Sequence, residues 1–108
     1  MSEPAGANIS VVDAPDHGRF EILFDGDLAG YSEYHDRADL RVFPHTVIDE
    51  AYAGRGLATI LVRNALDQTR ATGRPVLPYC KVVRGFIAKH PDYLDLVPAD
   101  RREEFGLG

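Results

Sequence analysis

The residues with the clearest chemical potential in this sequence are two glycines, Gly54 and Gly56, which are separated by a single residue. They follow a β-like run and precede an amphipathic stretch that is predicted to be a helix. The first amide groups of a helix have no partner within it and carry a partial positive charge. Glycines let a ligand approach that backbone closely, so the pattern favours an anion site, most often for phosphate. On this spacing alone, a tight connection without any ligand is an equally good interpretation.

A second candidate is the single cysteine, Cys80, which stands between a predicted short strand and a predicted helix. The N-terminus of a helix favours the thiolate, and the basic side chains of Lys81 and Arg84 would favour it further. A thiol in this position can protonate a leaving group or take an acyl group itself. The alternative is a buried, inert thiol, which is common for a free cysteine.

Other titratable residues offer weaker candidates. His45 can serve as a base, although a structural histidine bonded to backbone is the alternative. His90 is ten residues from Cys80, about 13–15 Å along a helix axis, so the spacing does not support a dyad between them. Asp49 and Glu50 can act as a base through water, or can simply complement the positive end of the following helix. The scattered histidines and cysteine lack zinc-ligand spacing, so no metal site is predicted.

Composition limits the possible classes of protein. The 108 residues suit one domain, and 44% apolar with 27% charged residues is ordinary for a globular protein. The net charge of −5 argues against general binding to nucleic acid or to membrane surfaces. One cysteine, no apolar leader and no run of about 20 apolar residues lead us to expect a cytoplasmic protein.

The first half of the chain is predicted to form strands. Alternating or apolar runs indicate four strands within residues 9–12, 19–24, 28–35 and 40–48. Pro44 lies inside the fourth run and predicts a bulge or distortion, because proline donates no ladder hydrogen bond.

The second half changes to a helical period. Apolar residues spaced by three and four predict a helix over residues 55–72, which Gly73 ends. A short strand at 76–77, a helix over 81–89 and a helical turn at 92–97 follow. The apolar face of the second helix is predicted to comprise Val82, Val83, Phe86 and Ile87. We expect a flexible N-terminus at 1–8, one domain at 9–97 and a C-terminal tail at 98–108.

The order β-β-β-β-α-β-α predicts an α/β fold with a mixed sheet. The first four strands suit an antiparallel meander, and the strand–helix–strand unit suits a parallel pair with a right-handed crossover. This topology puts residues 54–59 at the carboxyl end of the fourth strand, where ligands bind in such sheets. The amides of residues 55–58 would point at a diphosphate, and Arg55 would add charge-assisted contacts.

Residues 53–58 resemble the Gln/Arg-x-x-Gly-x-Gly/Ala turn of the GNAT acetyltransferase superfamily. They match at Gly56 and Ala58 and depart at Ala53, where the family usually has Gln or Arg. The departure removes one polar side chain and leaves the backbone amides unchanged.

Residues 78–93 resemble the signature of a small GNAT-like family, with a Pro-x-Cys-Pro-like element, an arginine and a His-Pro-Glu-Tyr-like element. Lys81 stands where that family usually has proline. Residues 45–47 are similar to its fourth strand, and the resemblance covers residues 9–97. It implies a minimal GNAT-like fold.

The same resemblance implies that acetyl-CoA or coenzyme A is the cofactor. Its diphosphate would lie on the turn and its pantetheine arm along the fourth strand, with the thioester where the fourth and fifth strands diverge. The implied cofactor-binding residues are Val47, Ile48, Asp49, Gly54, Arg55, Gly56, Leu57, Ala58 and Thr59.

The chemistry implied by the resemblance has one gap. Many GNAT enzymes use a tyrosine on the helix after the fifth strand as the acid, whereas Phe86 here has no hydroxyl group. Cys80 and His45 are therefore our predicted catalytic residues. Only residues 13–18 join the first two strands, where the family usually has one or two helices. An open acceptor site for an amine on a peptide or protein is the resulting expectation.

The sequence thus predicts a minimal GNAT acyltransferase that acetylates an amine, as a monomer or weak dimer without nucleic-acid or membrane partners. One alternative is a non-catalytic module that binds CoA or acyl-CoA and recruits a partner. Another is a protein-interaction domain without any nucleotide ligand.

Overall fold

The structure is a computed structural model that describes residues 8–108. In this range the helices are α1 (Leu57–Thr72) and α2 (Lys81–Lys89). The strands are β1 (Ile9–Ala14), β2 (Arg19–Phe24), β3 (Asp27–Glu33), β4 (His35–Arg37), β5 (Leu40–Val42), β6 (Thr46–Ile48) and β7 (Val76–Leu77). The flexible segment predicted for residues 1–8 lies outside the described residues except for Asn8, whose amide donates to Asp25 Oδ1 at 2.8 Å.

Short 3-10 turns connect or follow these elements. They comprise Pro15–His17, Glu50–Tyr52, Pro91–Leu96, Ala99–Arg101 and Glu103–Phe105. The turn predicted at 92–97 therefore begins one residue earlier, at Pro91. In the segment predicted as a C-terminal tail, Phe105 is buried against the core and its ring meets Tyr79 edge-on at 5.0 Å.

The strands form two small sheets, and the predicted mixed α/β fold is confirmed. One sheet has the order β1-β2-β3-β6 and is antiparallel throughout. The other has the order β4-β5-β7, in which β5 and β7 are parallel, as the crossover through α1 requires. The two sheets share no ladder, so a gap opens between β6 and the end of β7.

The gap arises because two predicted strands are interrupted. The run 28–35 breaks at Tyr34, and the run 40–48 breaks around Pro44. On the N-terminal side of Pro44, the Phe43 amide donates to the Leu77 carbonyl of the second sheet at 3.0 Å. On the C-terminal side, the His45 carbonyl accepts from the Glu33 amide of the first sheet at 2.8 Å. The predicted bulge at Pro44 is thus a full change of sheet, at a residue that has no N–H to continue a ladder.

Helix α1 covers the inner face of the four-stranded sheet. It begins two residues later than predicted, with Gly56 as its N-cap, and ends at Gly73, whose amide donates to the Arg70 carbonyl at 3.0 Å. The predicted apolar face is buried, with Leu57, Leu61, Val62, Ala65, Leu66 and Thr69 in the core. Each fully buried aliphatic side chain contributes about 1.5–3 kcal/mol, which makes this face the principal support of the fold.

Helix α2 begins directly after Cys80 and ends before His90, as predicted. Val83, Phe86 and Ile87 are buried, which confirms three members of its predicted apolar face. The fourth assignment is wrong, because Val82 is 40% exposed. Val82 lines the open groove between α2 and α1, so no packed layer covers it.

A polar cluster lies in the core beside the second sheet. The Arg41 side chain is buried, and its guanidinium donates to both carboxylate oxygens of Asp36, at 2.7 and 3.0 Å. It also donates to Thr69 Oγ1 at 3.4 Å and lies 4.0 Å from the Tyr34 ring centroid. The Tyr34 hydroxyl donates in turn to Asp13 at 2.6 Å, so each of these polar groups is held by another.

Neither helix from Asn8 onward has the length and apolar character needed to cross a membrane.

Candidate functional site

The turn that precedes α1 depends on its two glycines. Gly54 and Gly56 have φ angles of 79° and 73°, a left-handed conformation that other residues rarely adopt. A Cβ atom at either position would meet nothing within 4 Å in the described chain. The glycines are therefore explained by backbone conformation, and the space above them is open to a ligand.

The amides of this turn are free. On the N-terminal side of the turn, the amides of Tyr52 and Ala53 donate to carbonyls of the preceding 3-10 turn. On the C-terminal side, the Ile60 amide donates to the Gly56 carbonyl at 3.5 Å. None of the amides of residues 54–59 donates a hydrogen bond to another group within residues 8–108. Six consecutive donors thus lie at the positive end of a sixteen-residue helix, an arrangement that suits an anion.

The residues around the turn are positioned by aromatic and polar contacts. The Arg55 guanidinium lies 5.2 Å from the Phe24 ring centroid, and Phe24 packs on Tyr52 at 5.4 Å. The Asp49 carboxylate accepts from the Ala51 amide at 2.9 Å and so caps the 3-10 turn. Asp49 therefore caps the 3-10 turn that precedes the glycines, whereas the N-cap of α1 is Gly56.

Strand β6 forms one edge of its sheet. On its paired side, the Glu33 amide of β3 donates to the His45 carbonyl, and the Asp49 amide donates to the Ala29 carbonyl of β3. In an antiparallel pair of strands, every second residue forms hydrogen bonds to the neighbouring strand. Val47 is therefore bonded to β3, whereas the amide and carbonyl of Ile48 point away from β3. Of the three residues predicted to meet the pantetheine arm, Ile48 presents free backbone groups at the gap.

A groove of about 300 Å³ runs between the two helices and adjoins the turn. Ala58, Thr59 and Val62 line it from α1, and Lys81, Phe86 and Lys89 are among the residues that line it from α2. These are the only two lysines of the chain, and no acidic residue of the described range lines the groove. A protein with net charge −5 therefore has a cationic groove next to its free amides.

Cys80 lies where the two sheets diverge. Its side chain is 5% exposed, its amide donates to the Phe43 carbonyl at 2.7 Å, and its own carbonyl accepts from the Arg84 amide at 2.9 Å. The sulfur lies 3.4 Å from Thr46 Oγ1 on β6, to which the thiol donates. Cys80 thus spans the gap, with its backbone attached to one sheet and its side chain to the other.

Two hydroxyl residues at this position were missed by the sequence analysis. Thr46 Oγ1 lies 2.9 Å from Ser32 Oγ, and the two residues are register partners on β6 and β3. Ser32 is fully buried. A polar residue at an inward-facing strand position, opposite a second one, is the signal that would have revealed them, but reading it requires the strand register.

The two candidate histidines are not brought into contact with the thiol. His45 is exposed on the link between β5 and β6, and its ring has no hydrogen-bond partner among the described residues. His90 Nδ1 lies 2.9 Å from the Phe86 carbonyl, and its ring stacks on Phe86 at 4.1 Å. A dyad between His90 and Cys80 does not form, since this histidine closes the end of α2.

Comparison with known families accounts for this arrangement. A family model described as GCN5-related N-acetyl-transferase matches residues 19–96, which include the turn, the groove and Cys80. A search among curated proteins finds no match to the chain. Because the family model covers well over half of the sequence, the chain belongs to the GCN5-related N-acetyltransferase family, and the predicted GNAT resemblance is confirmed.

Proposed function

We propose that this member of the family is an acetyl-CoA-dependent N-acetyltransferase whose cofactor diphosphate binds residues 54–59. The observation that carries the proposal is the run of six free amides at the start of α1, opened by two left-handed glycines. A diphosphate suits several amides in one concave turn, and Arg55 adds a cation beside them. Acetyl-CoA supplies the activated acyl group when it is bound.

The groove between the helices supports an extended anionic ligand. Ala58 and Thr59 belong both to the turn and to the groove wall, so a molecule on the amides has space to continue between α1 and α2. Lys81 and Lys89 provide positive charge at the two ends of α2. Coenzyme A carries three phosphate groups, and their charge fits this pair of lysines.

The edge of β6 supports the placement of the pantetheine arm. The arm contains amide groups, and the outward amide and carbonyl of Ile48 would pair with one of them as a further strand would. A ligand that follows this edge from the turn reaches Thr46 and then Cys80. The route agrees with the predicted thioester position in the gap between the sheets.

Cys80 is the proposed reactive group. As nucleophile, its sulfur would form a bond to the acyl carbon while the carbon–sulfur bond of the thioester breaks and CoA leaves as a thiolate. The acceptor amine would then attack the acyl-cysteine, lose a proton to solvent and restore the Cys80 thiolate. As acid, Cys80 would instead protonate the leaving CoA thiolate. An acetyl adduct on Cys80, found by intact mass and peptide mapping, distinguishes the first role from the second.

The acceptor is proposed to be an amine on a peptide or protein. Only the 3-10 turn Pro15–His17 lies between β1 and β2, so no helical wall encloses the acceptor side of the gap in the described chain. An open site suits a large substrate better than a small metabolite, which requires enclosure on most sides.

The cofactor site is tested by CoA binding to the wild type and to Gly56→Glu, measured by calorimetry. A carboxylate at this position would occupy the open space and repel the diphosphate, so we expect affinity to fall about a hundredfold. Gly73→Glu is the matched control, because Gly73 has a similar φ of 78° and an equally open environment at the far end of α1. Equal affinity of wild type and Gly56→Glu would remove the basis of the proposal.

A second candidate function is a non-catalytic CoA-binding module. It is favoured by Phe86, which stands on α2 without a hydroxyl group that could act as the acid. CoA binding together with no acetylated product in a broad screen of amines and peptides would support this module. A protein-interaction domain without nucleotide would instead show no rise in melting temperature at saturating CoA.

A further inference from the structure

We infer that Thr46, supported by Ser32, is a positioning residue that orients the Cys80 sulfur and stabilises its thiolate. The inference rests on the proposed reactivity of Cys80. It starts from a continuous chain of three polar atoms, in which Ser32 Oγ lies 2.9 Å from Thr46 Oγ1 and Thr46 Oγ1 lies 3.4 Å from Cys80 Sγ. The chain crosses from the middle of the first sheet to the start of α2.

The direction of the hydrogen bonds follows from Ser32, at the buried end of this series of polar atoms. Ser32 is fully buried, and Thr46 is the only side-chain partner of its hydroxyl group within residues 8–108. A buried hydroxyl hydrogen without an acceptor is costly, so Ser32 donates to Thr46. The Thr46 hydrogen is then directed away from Ser32, and it can reach Cys80 Sγ once the sulfur has lost its own proton.

This direction matters when Cys80 loses its proton. In the thiol form the sulfur donates to Thr46 Oγ1, which has a second lone pair for it. In the thiolate form the Thr46 hydroxyl rotates and donates to the sulfur, while the Ser32 bond is unchanged. The anion thus gains a hydrogen bond from a donor that is already oriented, and bonds to charged acceptors are the stronger ones.

The location of Thr46 suits such a role. It lies half-buried on a strand of three residues, in register with Ser32 on β3, so its backbone position is set by the ladder. Because Thr46 lies on β6 and the Cys80 backbone is bonded to Phe43 beside the other sheet, the same bond fixes the distance between the two sides of the gap. Removing the Thr46 hydroxyl should therefore change the hydrogen bonding of the Cys80 sulfur without removing a packed apolar side chain.

Several charged residues are next to this pair in sequence or are connected to it by hydrogen bonds, and all of them are unchanged in the variants. Lys81 follows Cys80, and Arg84 donates its amide to the Cys80 carbonyl. His45 directly precedes Thr46, on the link that leads into β6. From the C-terminal segment, Glu104 and Arg101 bond to the Tyr79 hydroxyl, one residue before Cys80.

The test compares Thr46→Val, which keeps the shape, with Thr46→Ser, which keeps the hydroxyl. Thiolate formation is followed by ultraviolet absorbance against pH, with the Cys80→Ser spectrum subtracted; the chain has one cysteine, so the signal belongs to Cys80. We expect the midpoint in Thr46→Val to move upward by about one to two pH units, the size of one hydrogen bond to a charged acceptor. Thr46→Ser should remain near the wild type, and Ser32→Ala should move upward by a smaller amount.

An unchanged midpoint in Thr46→Val, or an equal shift in Thr46→Ser, would overturn the inference. A purely structural role of Thr46 would lower the melting temperature of the variants without separating their midpoints. The measurement uses no cofactor, so its failure is distinct from failure of the proposed function, which shows as absent CoA binding.

Discussion

The Arg41 cluster and the turn at residues 54–59 both concentrate hydrogen-bond donors, but they use them in opposite ways. Arg41 is 6% exposed, and its guanidinium contacts Asp36 and Thr69 and lies over an aromatic ring. The amides of the turn face open space with no partner in the described part of the chain. Donors that the protein satisfies itself stabilise its fold, whereas donors left free are available to a ligand.

The two regions also differ in whether their cations have carboxylates nearby. In the first region each cation has a carboxylate nearby, and Asp36 serves both Arg41 and, at 3.7 Å, Arg74. In the groove, Lys81 and Lys89 have no acidic residue beside them among the lining residues described. Substitutions in the first region should therefore change unfolding alone, and substitutions in the second should change binding alone.

The largest effect is expected from Arg41→Met. The substitution keeps an apolar stem in the core but removes the charge-assisted hydrogen bonds to Asp36, whose side chain is 34% exposed, so we expect a cost of about 2 kcal/mol. Denaturant unfolding measures this loss, and CoA affinity should stay within about twofold of the wild type. Arg74→Met is the control, because its weaker contact with the same carboxylate should cost less than about 1 kcal/mol. A large loss of CoA affinity in Arg41→Met would break the separation between the two regions.

A smaller effect is expected at alkaline pH. Burial, and then the hydrogen bond to Asp13, raise the pKa of Tyr34 to about 12. Because the folded pKa is above the unfolded one, this group's contribution is complete below pH of about 10 and is lost as pH rises towards 12. Unfolding free energy should fall by about 1 kcal/mol near pH 11, and the fall should be shallower in Tyr34→Phe. Identical slopes in both proteins would contradict this assignment.

The smallest effect is expected from Lys89→Gln. Removing one exposed cation from the groove should weaken CoA binding about fivefold at low salt and less at high salt, with no measurable change in unfolding. Arg37→Gln, on the exposed strand β4, makes the same change in net charge away from the groove. An equal loss in both variants would mean that the overall charge, and not the groove, attracts the ligand.

Much of this organisation could be predicted because it depends on local sequence. The glycines at 54, 56 and 73 and the apolar spacing of α1 identify the helix and its open end, since caps and amphipathic faces are properties of neighbouring residues. The crossover from β5 to β7 followed from the same reasoning. The family resemblance then indicated a ligand for a turn that spacing alone left ambiguous.

The remaining features depend on tertiary contacts. Whether Pro44 causes a bulge or a change of sheet depends on which strands compete for its neighbours. The pairing of Ser32 with Thr46, fourteen positions apart in sequence, requires the register of β3 and β6. Val82 was assigned to the core because helical periodicity cannot show that the space opposite it is a groove.

The break at Pro44 has a consequence for how the protein can change. The gap between the sheets originates in a backbone position that cannot donate a hydrogen bond, so it does not depend on the size of the side chains that line it. Under the proposed function, side chains around the gap can therefore change to admit different acceptors while the opening itself persists. The choice of acceptor and the position of the cleft would then depend on different residues of the chain.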